Sequence, residues 1–196
     1  MRIFTSVNFD EETKRRLLAV QDRIRKEAGR GKFPPRENFH LTLVFLGETS
    51  EERLPEIKDA IVQAASSGEK PRPAFELSFS RAGFFKRGAK ELWRLDSADD
   101  PDGTERLAEL QRALASELLT RGFIIDPRPF TPHITLGREI KNGPWPFKTE
   151  NIAIPVKRIS LMQSRHIPAD SAVRQKQVFA GRRSLAYVEI FGYPLD

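Results

Sequence analysis

The stretch HLTLVFLG, residues 40–47, has the composition of a β-strand and opens with one of the three histidines in the chain. A second stretch, HITLGR at residues 133–138, repeats its H-x-T-L pattern. Side chains alternate between the two faces of a strand, so each pattern places a histidine and a threonine on one face. We therefore predict two strands that hold their aliphatic side chains in the core and turn their His–Thr faces toward a shared cleft.

Strict alternation assigns each residue of the two strands to a face. On the cleft side it places His40, Thr42, Val44, His133 and Thr135. On the core side it places Leu41, Leu43, Phe45, Ile134 and Leu136. It would also send Arg138 to the core, which is unfavourable for an unpaired charge. We therefore expect the strand to bulge or end at Gly137, so that Arg138 returns to the cleft.

A cleft with two imidazoles suits phosphoester cleavage, in which a nucleophile loses a proton and a leaving alkoxide gains one. An imidazole with a pKa near 6.5 can do either at neutral pH, and each role accelerates a reaction by roughly 10²- to 10⁴-fold. The hydroxyls of Thr42 and Thr135 and the guanidinium of Arg138 would stabilise the charge on the phosphoryl oxygens. Two simpler interpretations remain for the histidines, namely surface residues and metal ligands. No acidic residue or third histidine stands at ligand spacing, and His166 is predicted to lie in a loop.

The composition is that of a globular protein without a spanning helix. Hydrophobic residues make up 39% of the 196-residue chain, and no apolar run approaches the length of a membrane span. No secretory signal is visible at the N-terminus, and the absence of cysteine fits a cytoplasmic protein. The net charge of +6 favours a polyanionic partner such as nucleic acid, and basic residues are frequent over residues 157–183, where a solvated basic loop is the alternative.

Hydrophobic periodicity predicts a single α+β domain over residues 1–196 with two related halves. The predicted helices begin after Asp10 and end near Ala28, cover about residues 51–65, and cover about residues 104–120. The predicted strands are residues 2–9, 74–85, 91–96, 147–156, 157–164 and 184–195 together with the two histidine strands, and a polar loop is expected from about His166 to Arg183. Three aromatic residues of the central strands are candidates for base stacking, with a core position as the alternative for each: Phe84, Phe85 and Trp93.

The paired H-x-T motifs resemble those of the 2H phosphoesterase superfamily. In particular, PPRENFHLTLVFLGE, AFELSFSRAGFF, ELWRLD and RGFIIDPRPFTPHITLGR are similar, in that order, to the bacterial and archaeal RNA 2′,3′-cyclic phosphodiesterases, also called 2′-5′ RNA ligases. The resemblance implies two pseudo-symmetric lobes of antiparallel sheet with helices around a V-shaped cleft. The stretch from Ala169 to Arg183 is longer and more basic than the family pattern.

The resemblance also implies an activity, which is the metal-independent and cofactor-independent opening of a 2′,3′-cyclic phosphate at an RNA 3′ end to a 2′-phosphate. The resemblance further implies that His40 is the general acid and His133 the general base, and that Thr42, Thr135 and Arg138 bind the phosphate. The implied partner is RNA, tRNA-like fragments included, the protein would be a monomer, and 2′-5′ ligation would be the minor reverse reaction. Two alternatives stay open: a non-catalytic RNA-binding module, and a phosphodiesterase of a different small cyclic phosphate.

Overall fold

The computed structural model describes residues 1–67, 70–97, 99–167 and 184–196, and these form a mixed α+β fold. The described helices are α1 (Glu11–Glu27), α2 (Leu54–Ala64) and α3 (Pro101–Thr120), with short 3₁₀ turns at Arg36–Asn38 and Glu51–Arg53. The first five strands are β1 (Arg2–Asn8), β2 (Arg30–Lys32), β3 (His40–Glu48), β4 (Ser66–Ser67) and β5 (Lys70–Pro71). The other six strands are β6 (Phe75–Arg87), β7 (Lys90–Asp96), β8 (His133–Lys141), β9 (Phe147–Val156), β10 (Arg158–Ile167) and β11 (Ser184–Pro194).

The main sheet has nine strands in two antiparallel halves that meet at the histidine strands. Its order is β11-β10-β1-β3-β8-β7-β6-β9, with β2 paired to β8 off this path. Strands β3 and β8 are joined through one register pair, Leu41 opposite Ile134, and both side chains are buried. Strand β2 pairs with β8 from Arg138 to Lys141, so it lies along the part of that strand that β3 does not reach. Helix α1 packs on β8 and β9, and α3 packs on β6 and β3.

Each histidine strand contains a β-bulge at the leucine of its H-x-T-L motif. In the first half Ser6 lies opposite Thr42 and Thr5 opposite Val44, which leaves Leu43 as the extra residue. In the second half Arg94 lies opposite Thr135 and Trp93 opposite Gly137, which leaves Leu136 as the extra residue. A bulge of one residue exchanges the two faces of a strand beyond it. In both halves, the side chains that follow the motif therefore switch faces of the sheet at equivalent positions.

Because of the bulges, two of the predicted side-chain directions are wrong. Val44 was expected on the cleft side, but it is buried in the core, and Phe45 was expected in the core, but it is 46% exposed. Phe45 lies opposite Phe4, on the same face as His40. The expectation for Arg138 was a bulge or strand end at Gly137, and the observed bulge falls one residue earlier, so Arg138 is exposed next to a buried Gly137.

Two buried polar side chains satisfy the backbone groups that the bulges remove from the ladder. The Thr5 hydroxyl accepts a hydrogen bond from the Val44 N–H at 3.1 Å and donates to the Val44 carbonyl at 3.3 Å. The Gln21 amide donates to the Leu136 carbonyl at 2.9 Å and to the Pro34 carbonyl at 2.9 Å. Because buried backbone groups must be paired, Thr5 and Gln21 stabilise the two bulges from the core side.

The remaining elements follow the sequence expectations, with several corrections. Asp10 caps α1 as predicted, its side chain accepting from the Thr13 N–H. Helix α3 starts at Pro101 rather than at residue 104, because Asp100 caps it through the Gly103 N–H. The short strands β2, β4 and β5 were not predicted, and His166 lies not in a loop but in β10, where it pairs with Leu185. Residues 168–183 of the expected polar loop lie outside the described residues.

Replacing Gln21 with leucine is expected to destabilise the fold. Leucine has a side chain of similar size to glutamine, but the change leaves the buried Leu136 carbonyl without its hydrogen-bond donor, which costs about 1–3 kcal/mol. Urea denaturation of Gln21→Leu should show this loss. The same change at the exposed Gln63 of α2 is the control, and equal stability of both variants would contradict the assigned role of Gln21.

Candidate active site

The two histidines of the repeated motif lie on either side of the junction between the two half-sheets. His40, Thr42, His133 and Thr135 are half-buried and alternate with the buried pair Leu41 and Ile134. All four therefore lie on the opposite face of the sheet from the core. The structure brings together the two histidines and two threonines that the sequence singled out.

Both imidazole rings are held by a hydrogen bond to the backbone two residues earlier. His40 Nδ1 lies 2.7 Å from the Asn38 carbonyl, and His133 Nδ1 lies 2.8 Å from the Thr131 carbonyl. A carbonyl oxygen can only accept, so Nδ1 carries the proton in each ring and Nε2 of the neutral ring carries the lone pair. His40 Nε2 lies 3.0 Å from the Thr42 hydroxyl. Each ring thus presents an Nε2 that can take up or release a proton.

The pKa of His40 is lowered to about 4. Burial of the ring is the main cause, and the Asn38 carbonyl opposes it, while the positive charges of Arg138 and His133 lower the pKa further. Two aromatic rings contribute to that burial, with centroids 4.8 Å and 5.0 Å from the His40 ring, namely Phe4 and Tyr187. His40 is therefore neutral at pH 7 unless an anion binds next to it.

The pKa of His133 is lowered as well, again mainly by burial, and the Thr131 carbonyl opposes the shift. Its charged surroundings differ from those of His40, because Arg94 lowers the pKa of His133 and Asp96 raises it. Asp96 lies directly across from His133 in the ladder, whereas the residue across from His40 is the uncharged Asn8. The two histidines therefore have similar geometry but different electrostatic environments.

Arg138 lies within electrostatic range of both imidazoles, since its charge lowers the pKa of each. The bulge before Gly137 and the pairing of Arg138 with Lys32 place its backbone at the edge of the site. The guanidinium has five N–H donors in a planar fork that fits phosphate oxygens. Arg138 is thus an exposed cation near both imidazoles, and its role as a phosphate ligand stays a prediction.

The cleft face of β7 carries an ion pair that was not predicted from the sequence. Arg94 Nε lies 3.0 Å from Asp96 Oδ1, and both side chains are largely buried. Burial lowers the pKa of Arg94 and raises that of Asp96, and each charge opposes the shift of the other. The period of two in ELWRLD, which separates these charges from Trp93 and Leu95, was the pattern that could have revealed the pair.

Two of the three aromatic candidates do not face the cleft. Trp93 is 0% exposed in the core, and Phe84 lies opposite it in the ladder, half-buried on the same face, with ring centroids 5.2 Å apart. The prediction that Trp93 and Phe84 contact substrate is therefore wrong, because neighbouring residues of a strand face opposite sides and Arg94 takes the cleft side. Phe85 is 44% exposed, and its ring lies over the Arg94 guanidinium.

A pocket of about 190 Å³ opens beside His40, between β1, β10 and β11. Its lining includes Asn8, Met162, Tyr187 and Glu189, and Glu189 accepts hydrogen bonds from Asn8 and Ser160. Tyr187 and Phe4 were not among the sequence candidates, although both lie on strands that the sequence predicts. The pocket gives His40 a route to solvent and leaves space for part of a ligand.

A model of the 2′-5′ RNA ligase superfamily matches residues 10–166, a range that contains both histidine motifs. The chain belongs to this superfamily. The RNA 2′,3′-cyclic phosphodiesterase of Thermus thermophilus is 34% identical over 86% of this chain and 84% of its own length. The enzyme of the same name from Thermotoga maritima is 31% identical over 79% of each chain.

Solved structures of the superfamily share the fold of this chain. Escherichia coli LigT in complex with 3′-AMP matches 99% of this chain and 97% of its own, with a TM-score of 0.74 and 26% identity. This likeness agrees with the large antiparallel sheet seen here and confirms the α+β fold class. The family expected from the paired motifs is confirmed as well.

The described residues lack two features, a cluster of metal ligands and a membrane-spanning helix. No group of three or more His, Cys, Asp or Glu side chains in these ranges could hold a metal ion. None of the helices described above is long and apolar enough to cross a membrane.

Titration of the histidines should show the effect of their burial directly. We expect the His40 imidazole to titrate with a midpoint near 4 and His133 to titrate below 6.5, because burial disfavours both charged forms. Between these midpoints and 6.5 the imidazoles of an unfolded chain bind protons that the folded ones do not. NMR of the ring C–H resonances measures both values, and a His40 midpoint at or above 6.5 would contradict the burial argument.

Proposed function

We propose that this protein hydrolyses the 2′,3′-cyclic phosphate at the 3′ end of RNA and leaves a 2′-phosphate. The observation that carries the proposal is the pair of imidazoles whose Nδ1 atoms are both bound to backbone carbonyls. This arrangement leaves two Nε2 atoms on one face of the sheet for proton transfer. Relatives that bear the name RNA 2′,3′-cyclic phosphodiesterase, at 34% and 31% identity over most of the chain, support it.

Hydrolysis requires one proton to be removed and one to be supplied. His133 Nε2 accepts a proton from water as the water oxygen bonds to phosphorus, and the bond between phosphorus and O3′ breaks. His40 Nε2 gives its proton to the departing O3′, so one water is added in total and the phosphate stays on O2′. We assign the two roles in this order by the family resemblance.

The electrostatics of the site fit a phosphate anion. His40 is neutral at pH 7 in the absence of ligand because burial lowers its pKa to about 4. A bound anion favours the charged imidazole and raises that pKa, which prepares His40 to act as an acid only when substrate is present. The Thr42 and Thr135 hydroxyls and Arg138 stabilise the charge that grows on the phosphoryl oxygens.

Removal of either imidazole should abolish efficient turnover while the fold remains intact. For His40→Ala and His133→Ala we expect kcat to fall by roughly 10²- to 10⁴-fold each, the usual contribution of a general acid or base. The assay follows 2′-phosphate formation from an oligonucleotide with a 2′,3′-cyclic phosphate end, in the presence of EDTA. His166→Ala, an exposed change on β10, is the matched control.

The same assay separates the proposal from its alternatives. A non-catalytic RNA-binding module would bind RNA in a salt-sensitive manner but form no product. A phosphodiesterase of another small cyclic phosphate would turn over that compound and not the oligonucleotide. Full activity of either histidine variant would exclude the acid–base mechanism.

A substrate with sulfur in place of the bridging O3′ distinguishes the acid from the base. A thiolate leaves without a proton, so the general acid is dispensable for this substrate whereas the base is still required. We expect the sulfur substrate to restore much of the lost rate to His40→Ala and none to His133→Ala. The opposite pattern would reverse the two roles and leave the reaction unchanged.

A further inference from the structure

The cleft face of the second half-sheet carries a cation that the proposed reaction does not use. Arg94 on β7 lies directly across from Thr135 on β8, and opposite residues of a ladder share a face. The Arg94 side chain is 14% exposed. It stands one strand farther from the junction of the half-sheets than Thr135, a step of about 4.8 Å.

The hydrogen-bonding capacity of Arg94 is not satisfied by the described part of the protein. Its Nε lies close enough to Asp96 Oδ1 for an ion pair, but the two atoms do not form a hydrogen bond. The buried Nη1 of Arg94 also has no hydrogen-bond partner within the described ranges. Buried donors of a charged group without acceptors are unfavourable. An anionic ligand on the cleft face would supply an acceptor to this guanidinium, whose side chain is partly exposed there.

An aromatic ring lies against the same guanidinium. The Arg94 Cζ is 3.5 Å from the centroid of the Phe85 ring, so one face of the ring is covered by the cation. Phe85 remains 44% exposed, although it extends from a strand in the middle of its half-sheet. Arginine and an aromatic ring side by side offer a phosphate contact and a surface for base stacking.

Among the described residues, the first half-sheet has no cation across from its motif threonine. The residue across from Thr42 is Ser6, which is fully buried and bound to Asn8 Oδ1 at 3.0 Å. The pocket on that side is lined by the carboxylate of Glu189 and by Lys14, whose ammonium group is bound to Glu11. Across from the motif threonine, the described part of the chain therefore carries a guanidinium with unpaired donors on β7 and an uncharged hydroxyl on β1.

We propose that Arg94 and Phe85 form a subsite for the nucleotide that precedes the cyclic phosphate end. Arg94 binds the phosphodiester that links this nucleotide to the terminal one, and Phe85 stacks on its base. The inference rests on the proposed function and narrows its substrate class to RNA chains of at least two nucleotides, with mononucleoside cyclic phosphates as poorer substrates.

The test compares kcat/KM for the dinucleotide UpU with a 2′,3′-cyclic phosphate end against that for uridine 2′,3′-cyclic phosphate. We expect the wild-type ratio to favour the dinucleotide, and Phe85→Ala to lower the ratio by roughly 5- to 150-fold, the range that stacking of one base on an aromatic ring supplies. Phe45→Ala is the matched control, because Phe45 is 46% exposed and has Arg2 over its ring in the first half. It should leave the ratio unchanged.

Salt dependence provides a second readout, which a purely structural role of Arg94 would not change. For Arg94→Gln we expect a lower ratio, and a plot of log kcat/KM for the dinucleotide against log salt that is less steep by about 0.7, the effect of one lost phosphate contact on a single strand. Circular dichroism checks that this variant folds. If Arg94→Gln does not fold, the ratio measured for Phe85→Ala still tests the subsite.

Several results would overturn the subsite. These are a wild-type ratio near one, a ratio that Phe85→Ala leaves unchanged, or a ratio that Phe45→Ala lowers instead, which would direct the RNA chain over the first half. Failure of the proposed function is a separate result, in which neither substrate is hydrolysed. The subsite is then judged by the relative binding of UpU 3′-phosphate and uridine 3′-phosphate to the same variants.

Discussion

The buried pair of Leu41 and Ile134 is the contact on which the rest of the site depends. It is the register pair through which the two histidine strands are joined. Because strand side chains alternate, burial of these two residues fixes the faces of the histidine and threonine on either side of each. A slip of one residue in either strand would turn an imidazole into the core and an aliphatic side chain toward substrate.

The bulges after each His–Thr pair add what a regular strand could not provide. A strict alternation would have directed both Phe45 and Arg138 into the core, and the extra residues Leu43 and Leu136 return them to the histidine face. At this equivalent position one half has an aromatic ring and the other a guanidinium. The two halves therefore share the same β-bulge, but the side chain that it exposes is aromatic in one half and cationic in the other.

Much of this arrangement could be predicted from the sequence, because alternation, capping and repetition are local. The histidine strands, the cap at Asp10 and the α+β class followed from such patterns, and the need to direct Arg138 out of the core indicated a bulge. What could not be predicted depends on tertiary context. The location of the bulges relies on Thr5 and Gln21, which are distant in sequence, and the burial of Trp93 depends on which face of β7 the core occupies.

The bonds that orient the two imidazoles span only two residues of chain, from His40 to Asn38 and from His133 to Thr131. The tautomer of each imidazole is therefore fixed by a carbonyl of its own half-sheet and does not depend on the other half. Small changes in the angle between the halves alter the separation of the imidazoles without changing which nitrogen of either is protonated. The proton position in each ring is thus set within its own half, whatever the separation of the two imidazoles.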